Sequence, residues 1–115
     1  TVEISSEGIL DVTNKTSYIM PASQTYRFKT DTKGTGQSGL LLAATLNISN
    51  ADVILDLVGD IDDPAYVFVK YNTLIGTQFA SVAGIPENCS IDYAYRGRQI
   101  ALITTVASPM VLIVR

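Results

Sequence analysis

The sequence predicts an all-β domain, either a β-sandwich or jelly-roll-like fold or a short β-solenoid-like one, built from about 8–11 short strands. Three observations predict it. Strand signals recur every ~8–12 residues between Gly, Pro, Asn and Asp punctuation. Val, Ile, Thr and Tyr are plentiful, as a pleated, half-buried surface favours. No window sustains the 3.6-residue periodicity of an amphipathic helix. With 115 residues the chain is one domain's worth, enough for one modest core. No linker interrupts it, so residues 1–115 read as a single unit.

The elements follow in order. In residues 1–5, Val2 and Ile4 alternate with polar neighbours. Gly8 then punctuates, and Ile9, Leu10 and Val12 follow. Residues 14–17 form a polar turn, and a short strand over 18–20 stops at Pro21. Residues 24–29 alternate, with Tyr26 and Phe28 on one face and Arg27 and Lys29 on the other. Residues 30–39 (TDTKGTGQSG) are the longest loop. Strands over 40–48 and 53–58 flank a Ser49-Asn50 turn, and Val53, Leu55 and Leu57 share a face. Residues 59–64 (GDIDDP) are an acidic turn. Over 66–71, strict alternation places Tyr66, Phe68 and Lys70 opposite Val67, Val69 and Tyr71. A short strand over 79–82 precedes a turn at 84–88. Residues 90–95, with Ile91, Tyr93 and Tyr95 alternating, pair with 99–104 across an Arg96-Gly97 turn. Ser108-Pro109 breaks the chain before a last strand over 110–114.

Composition narrows the function. Apolar residues make up 47% and charged residues 17%, the latter below the ~25% usual for soluble domains. Such a chain buries its surplus apolar surface against itself or against neighbours. The net charge of −3 and the scattered basic residues argue against nucleic acid as a partner. The longest apolar runs, 40–46 and 109–114, are strand-sized and far short of the ~18 residues of a membrane span.

The absence of His removes the usual general base and the commonest metal ligand, and with it the Ser-His-Asp and Cys-His arrangements. The chain is therefore expected not to be an enzyme and to need no cofactor. A single Cys, Cys89, excludes an intramolecular disulfide and reads as a small buried hydrophobe. The loop around Gly34 and Gly36 has neither P-loop nor dinucleotide-binding spacing. Asp60, Asp62 and Asp63 are a weak Ca²⁺ candidate, but they do not follow the EF-hand pattern, and Asp and Pro favour turns for local reasons. The six Tyr residues suggest either a glycan platform or cross-strand packing, and packing is the reading favoured. Three of the five Asn residues (Asn14, Asn47 and Asn88) stand in Asn-X-Ser/Thr sequons and are candidate glycosylation positions.

From Gly39 onward an ordered series of motifs carries a resemblance. It runs through Gly39-Leu40-Leu41, Leu46-Asn47-Ile48, the alternating 53–57, and Asp62-Asp63-Pro64-Ala65-Tyr66-Val67. It continues through Tyr71-Asn72-Thr73-Leu74-Ile75-Gly76-Thr77, Phe79-Ala80-Ser81-Val82-Ala83-Gly84-Ile85-Pro86, Ile91-Asp92-Tyr93-Ala94-Tyr95 and Gln99-Ile100-Ala101-Leu102. The series resembles the C-terminal region of bacterial surface β-helix proteins of the autotransporter-associated β-strand and PEP-CTERM type, over roughly residues 39–102. The resemblance implies secretion, solenoid-like stacking and a structural role, with no catalytic residues to carry over. Asp62 and Asp63 belong to that shared pattern, which implies a turn role.

These readings converge on a non-enzymatic, extracellular or cell-surface subunit that assembles with copies of itself, as a filament or surface-layer protomer. Terminal strands 1–12 (Val2, Ile4, Ile9, Leu10) and 109–115 (Val111, Leu112, Ile113, Val114) are the segments expected to engage neighbours by strand exchange. A capsid decoration or fibre module is the alternative. A glycan-binding adhesin, using Tyr93, Tyr95 and the loop over 30–39, is a second.

Overall fold

The computed structural model describes residues 1–31, 38–59 and 64–104. Every regular element among them is a strand: β1 (Val2–Ile4), β2 (Ile9–Asp11), β3 (Tyr18–Ile19), β4 (Thr25–Asp31), β5 (Leu40–Asn47), β6 (Asp52–Val58), β7 (Ala65–Ile75), β8 (Ser81–Ala83), β9 (Cys89–Tyr95) and β10 (Gln99–Thr104). The expected all-β class holds. The loop over 32–37, the acidic turn with Asp60, Asp62 and Asp63, and the last strand with Val111, Leu112, Ile113 and Val114 lie outside the described residues.

Two sheets form. One has the order β1-β4-β6-β8 and the other β2-β5-β7-β10-β9, with β3 also beside β5. All pairings in the first sheet are parallel. So are β2–β5, β3–β5 and β5–β7 in the second. The chain therefore winds from sheet to sheet, laying each new strand beside the one a coil earlier. Register partners are 24 residues apart from Val2 to Tyr26, 27 from Tyr26 to Val53, 28 from Leu41 to Val69 and 29 from Val53 to Val82. The architecture joins the two that the sequence allowed, because the sheets face each other as in a sandwich but are wound as a short solenoid.

Alternation explains the first sheet. Ile4, Tyr26, Phe28, Val53 and Leu55 are buried between the sheets. The opposite, outer face is charged. Arg27 Nη1 donates to Asp56 Oδ2 at 3.1 Å, and Glu3 Oε2 lies 3.9 Å from Arg27 Nε and 3.8 Å from Lys29 Nζ. These pairs are too exposed to stabilise by more than about 1 kcal/mol in total. They do favour the in-register stacking of β1, β4 and β6.

The second sheet departs from simple alternation twice. In β5, Leu41 and Ala43 are buried and then Leu46 and Ile48; in β7, Val69 and Tyr71 are buried and Leu74 is the next residue to pack inward. The inward parity changes at the same register in both strands. In the first coil that same place is the break between β2 and β3. A parity change in a period-two element requires a bend, so this sheet turns a corner there. The other departure lies within β7, where Phe68 and Val69 are both buried. Ile100 pairs with Val69 but Ala101 with Val67, so Phe68 is the extra residue of a β-bulge. Strict alternation places Val69 opposite Phe68 and Lys70 beside it; the bulge instead brings Val69 inward and sends Lys70 out to solvent.

Aromatic rings run through the core from coil to coil. Phe28 of β4 meets Phe68 of β7 edge-on at 5.0 Å. Phe68 lies 6.1 Å from Phe79, and Phe79 lies 5.3 Å from Tyr93 of β9. The parallel winding ends in an antiparallel hairpin, in which β10 pairs with β7 and β9 with β10. Its turn uses two successive left-handed residues, Arg96 (φ 51°) and Gly97 (φ 94°). This is the backbone twist that tight hairpins favour.

Buried phenols make stability sensitive to high pH. The Tyr18 and Tyr26 hydroxyls are hydrogen-bonded at 2.7 Å. Burial, and then the bond to Tyr18, hold the Tyr26 phenol well above the ordinary range. Burial also raises Tyr71, helped by the Asp92 carboxylate, and Tyr93, opposed by the Phe79 amide. In the unfolded chain these groups titrate near ~10. A folded state that holds the proton more tightly keeps this stabilisation in full below that pH and loses it as pH rises beyond. The urea midpoint is expected to hold steady from about pH 7 to 9 and to fall by about pH 11. A midpoint unchanged at the higher pH would contradict the burial of these phenols.

Candidate functional site

The described residues offer little for chemistry. No group of three or more His, Cys, Asp or Glu among them is placed to hold a metal ion. Cys89 is half-buried and packs against the core edge with Ile91 and Tyr93. Two open cavities, of about 320 and 350 Å³, are lined by ordinary strand and turn residues, among them Ile9, Leu40, Val67 and Lys70 in one and Ser49, Thr77 and Gln78 in the other.

The tyrosines are mostly structural. Tyr26, Tyr66 and Tyr71 are buried. The Tyr71 hydroxyl donates to Tyr93 O at 2.7 Å, and the Tyr93 hydroxyl accepts from the Phe79 amide at 3.1 Å. Tyr93 is thus held in packing, while Tyr95 carries the Arg96 guanidinium 5.3 Å above its ring. Of the sequon residues, Asn14 and Asn88 are exposed in turns, Asn88 with a left-handed φ of 63°. Asn47 is half-buried in β5, and its Oδ1 accepts from the Ser49 amide at 3.0 Å.

The informative surfaces are the two ends of the solenoid. At the first end, Val2 and Ile4 pair with Tyr26 and Phe28, and Ile9 and Leu10 with Leu40 and Leu41, all within the same chain. The first coil is thus folded at home. Beyond β1, β2 and β3 no further strand stands among the described residues. This end also carries two large exposed apolar side chains, Ile9 (62% exposed) and Ile19 (58%).

At the far end, among the described residues, β8 closes one sheet and β9 the other. β10 reverses the direction of β7, and β9 reverses it again. β9 therefore runs parallel to β2, β5 and β7, as β8 runs parallel to β1. Among the described residues, both ends present strand edges of the same polarity in both sheets. Sequence periodicity locates each strand but contains no signal for this, because it depends on which strands pair across a whole coil.

No family model, curated protein or solved structure matches the chain.

Proposed function

We propose that this chain is a non-catalytic structural subunit acting outside the cytoplasm, whose copies stack end to end into a filament or layer. The observation that carries the reading is the matched polarity of the two ends. A second copy seated on β8 and β9 with its β1 and β2 continues both sheets in the parallel sense of the coils. The contact is head-to-tail, a heterologous interface that propagates rather than closing on itself as a twofold pair does. The apolar surplus of the composition and the exposed Ile9 and Ile19 at the first end supply surface for it. Because residues 1–12 already pair within their own coil, the added copy abuts β1 and β2 and leaves them in place. The resemblance to surface β-helix proteins and the exposed sequons Asn14 and Asn88 support a location outside the cytoplasm.

The test is sedimentation and negative-stain electron microscopy of the purified chain, beside the Ile9→Lys/Ile19→Lys double variant. Both positions are exposed, so folding stability should move by no more than about 0.5 kcal/mol per substitution. The wild type is expected to form concentration-dependent filaments and the variant to stay monomeric. A wild type that remains monomeric at high concentration, or a variant that assembles equally well, refutes end-to-end stacking.

A further inference from the structure

One corner of the second sheet gathers cations without counterions. Of the chain's eight Lys and Arg residues, six lie among the described residues. Arg27 and Lys29 face Glu3 and Asp56 on the first sheet. Lys15, Lys70, Arg96 and Arg98 form no ion pair among the described residues, and all four are exposed. Register brings three of them together. Lys70, Gln99 and Tyr95 are successive partners on β7, β10 and β9, and partners in a row share a face. The Arg98 carbonyl accepts from the Tyr71 amide at 3.1 Å, so Arg98 stands one position further along the same strands. The Arg96 guanidinium lies over the Tyr95 ring, and the hairpin turn fixes its left-handed backbone. Two carboxylates share this outer face, and both are already engaged by their own neighbours. Asp11 accepts from the Thr13 amide at 2.9 Å and hydroxyl at 2.6 Å, and Asp92 accepts from the Ala94 amide at 3.0 Å. Beside Lys70 an open groove of about 180 Å³ crosses from coil to coil. It is lined by Thr13 of the first coil, Leu42 and Ala43 of β5, and Lys70, Tyr71 and Asn72 of β7.

We propose that this corner binds an acidic polysaccharide. Its carboxylates meet Lys70, Arg96 and Arg98, and its hydroxyls meet the exposed Thr13 and Asn72 along the groove. Charge spacing favours this partner. Lys70 and Tyr95 lie two strand spacings apart, about 10 Å, so the cations are spread along a line and do not converge on one small anion. A sugar polymer with at most one charge per ring matches such a line. A nucleic-acid duplex carries a charge every ~1.7 Å of its axis, far denser than these three cations on a chain of net charge −3 can neutralise. The groove also crosses the strands, so a bound polymer runs along the stack of coils. The choice of a polysaccharide rests on the location outside the cytoplasm proposed above. End-to-end stacking uses the strand edges at the two ends. It leaves this outer face open and repeats it copy by copy.

The test is titration calorimetry of the full-length chain with polygalacturonate, at a protein concentration where sedimentation shows monomers. Neutral dextran and a single-stranded oligonucleotide are run beside it. The wild type is expected to bind polygalacturonate and not dextran, and to bind less tightly as salt screens the exposed charges. The Lys70→Gln/Arg98→Gln variant should lose at least about tenfold in affinity. The Arg27→Gln/Lys29→Gln variant removes the same charge from the other sheet and should change affinity by less than about twofold. All four positions lie on outer faces, and the thermal midpoint by circular dichroism checks that both variants fold. A wild type that does not bind polygalacturonate overturns the proposal. So do equal losses in the two variants, which would make the binding a matter of net charge, and an oligonucleotide bound as tightly as the polysaccharide. Because monomers are measured, failure here leaves end-to-end stacking standing, and filaments that fail to form leave this site standing.

Discussion

Phe68→Ala is expected to remove about 3–5 kcal/mol of folding stability. Phe68 is 1% exposed and touches the rings of both Phe28 and Phe79. It is also the bulge residue of β7, held between β5 and β10, so the backbone around it has little freedom to close over the cavity. A domain of this size has roughly 5–15 kcal/mol in hand, which leaves the variant at the margin of folding. Urea unfolding measures the loss. Ile75→Ala, at a position 46% exposed, serves as the control and should move stability by less than about 0.5 kcal/mol. A Phe68→Ala loss below about 1 kcal/mol would mean that the aromatic row is not what joins the coils.

Gly84→Ala should be nearly as costly, for a reason unrelated to burial. Gly84 has φ +89°, and a Cβ there would fall 2.1 Å from the carbonyl oxygen of Leu55. The left-handed conformation costs a residue with a Cβ about 1–2 kcal/mol. The clash is with the backbone of β6, which can yield only by disturbing its pairing with β4 and β8. A total of about 3 kcal/mol or more is expected in thermal or urea unfolding. Gly97 is the matched comparison, with a similar φ of +94° and nothing within 4 Å of where a methyl group would stand. Gly97→Ala should therefore cost only about 1 kcal/mol. Equal losses at the two glycines would show that the close approach to Leu55 does not constrain the chain.

The strands are legible in the sequence wherever the period-two pattern is clean. Tyr26 and Phe28, and Val53, Leu55 and Leu57, announce which side faces the core, and Arg96-Gly97 announces its hairpin. The pattern fails at Val69, because a bulge changes parity without changing composition. It is equally silent at the corner within β5, where nothing in Ala43-Ala44-Thr45 marks a bend. The partners of each strand are not legible at all. The coils share no repeated motif, and spacings that vary from 24 to 31 residues blur any internal period. The surfaces at the two ends depend on those pairings and on the double reversal through β10 and β9, so they emerge only once the whole chain is wound. Cys89, expected as a small buried hydrophobe, is only half-buried at the core edge, a place that its residue type does not announce.

The spacing between register partners also sets how the chain reaches this structure. Each parallel pair joins residues separated by about a quarter of the chain, so nearly every stabilising contact must first close a long loop. No coil can mature alone, since its inward residues are covered only by the coils on either side. Folding should therefore be slow, in the millisecond-to-second range of β proteins rich in non-local pairings. It should spread from the central strands β4 to β7 outward, with the β9–β10 hairpin arriving as a locally formed piece. Until that hairpin docks on β7, the growing stack offers an unguarded parallel edge to any other partly wound copy. Yield on refolding is then a contest between capping and premature association, one that low protein concentration tilts toward the finished molecule.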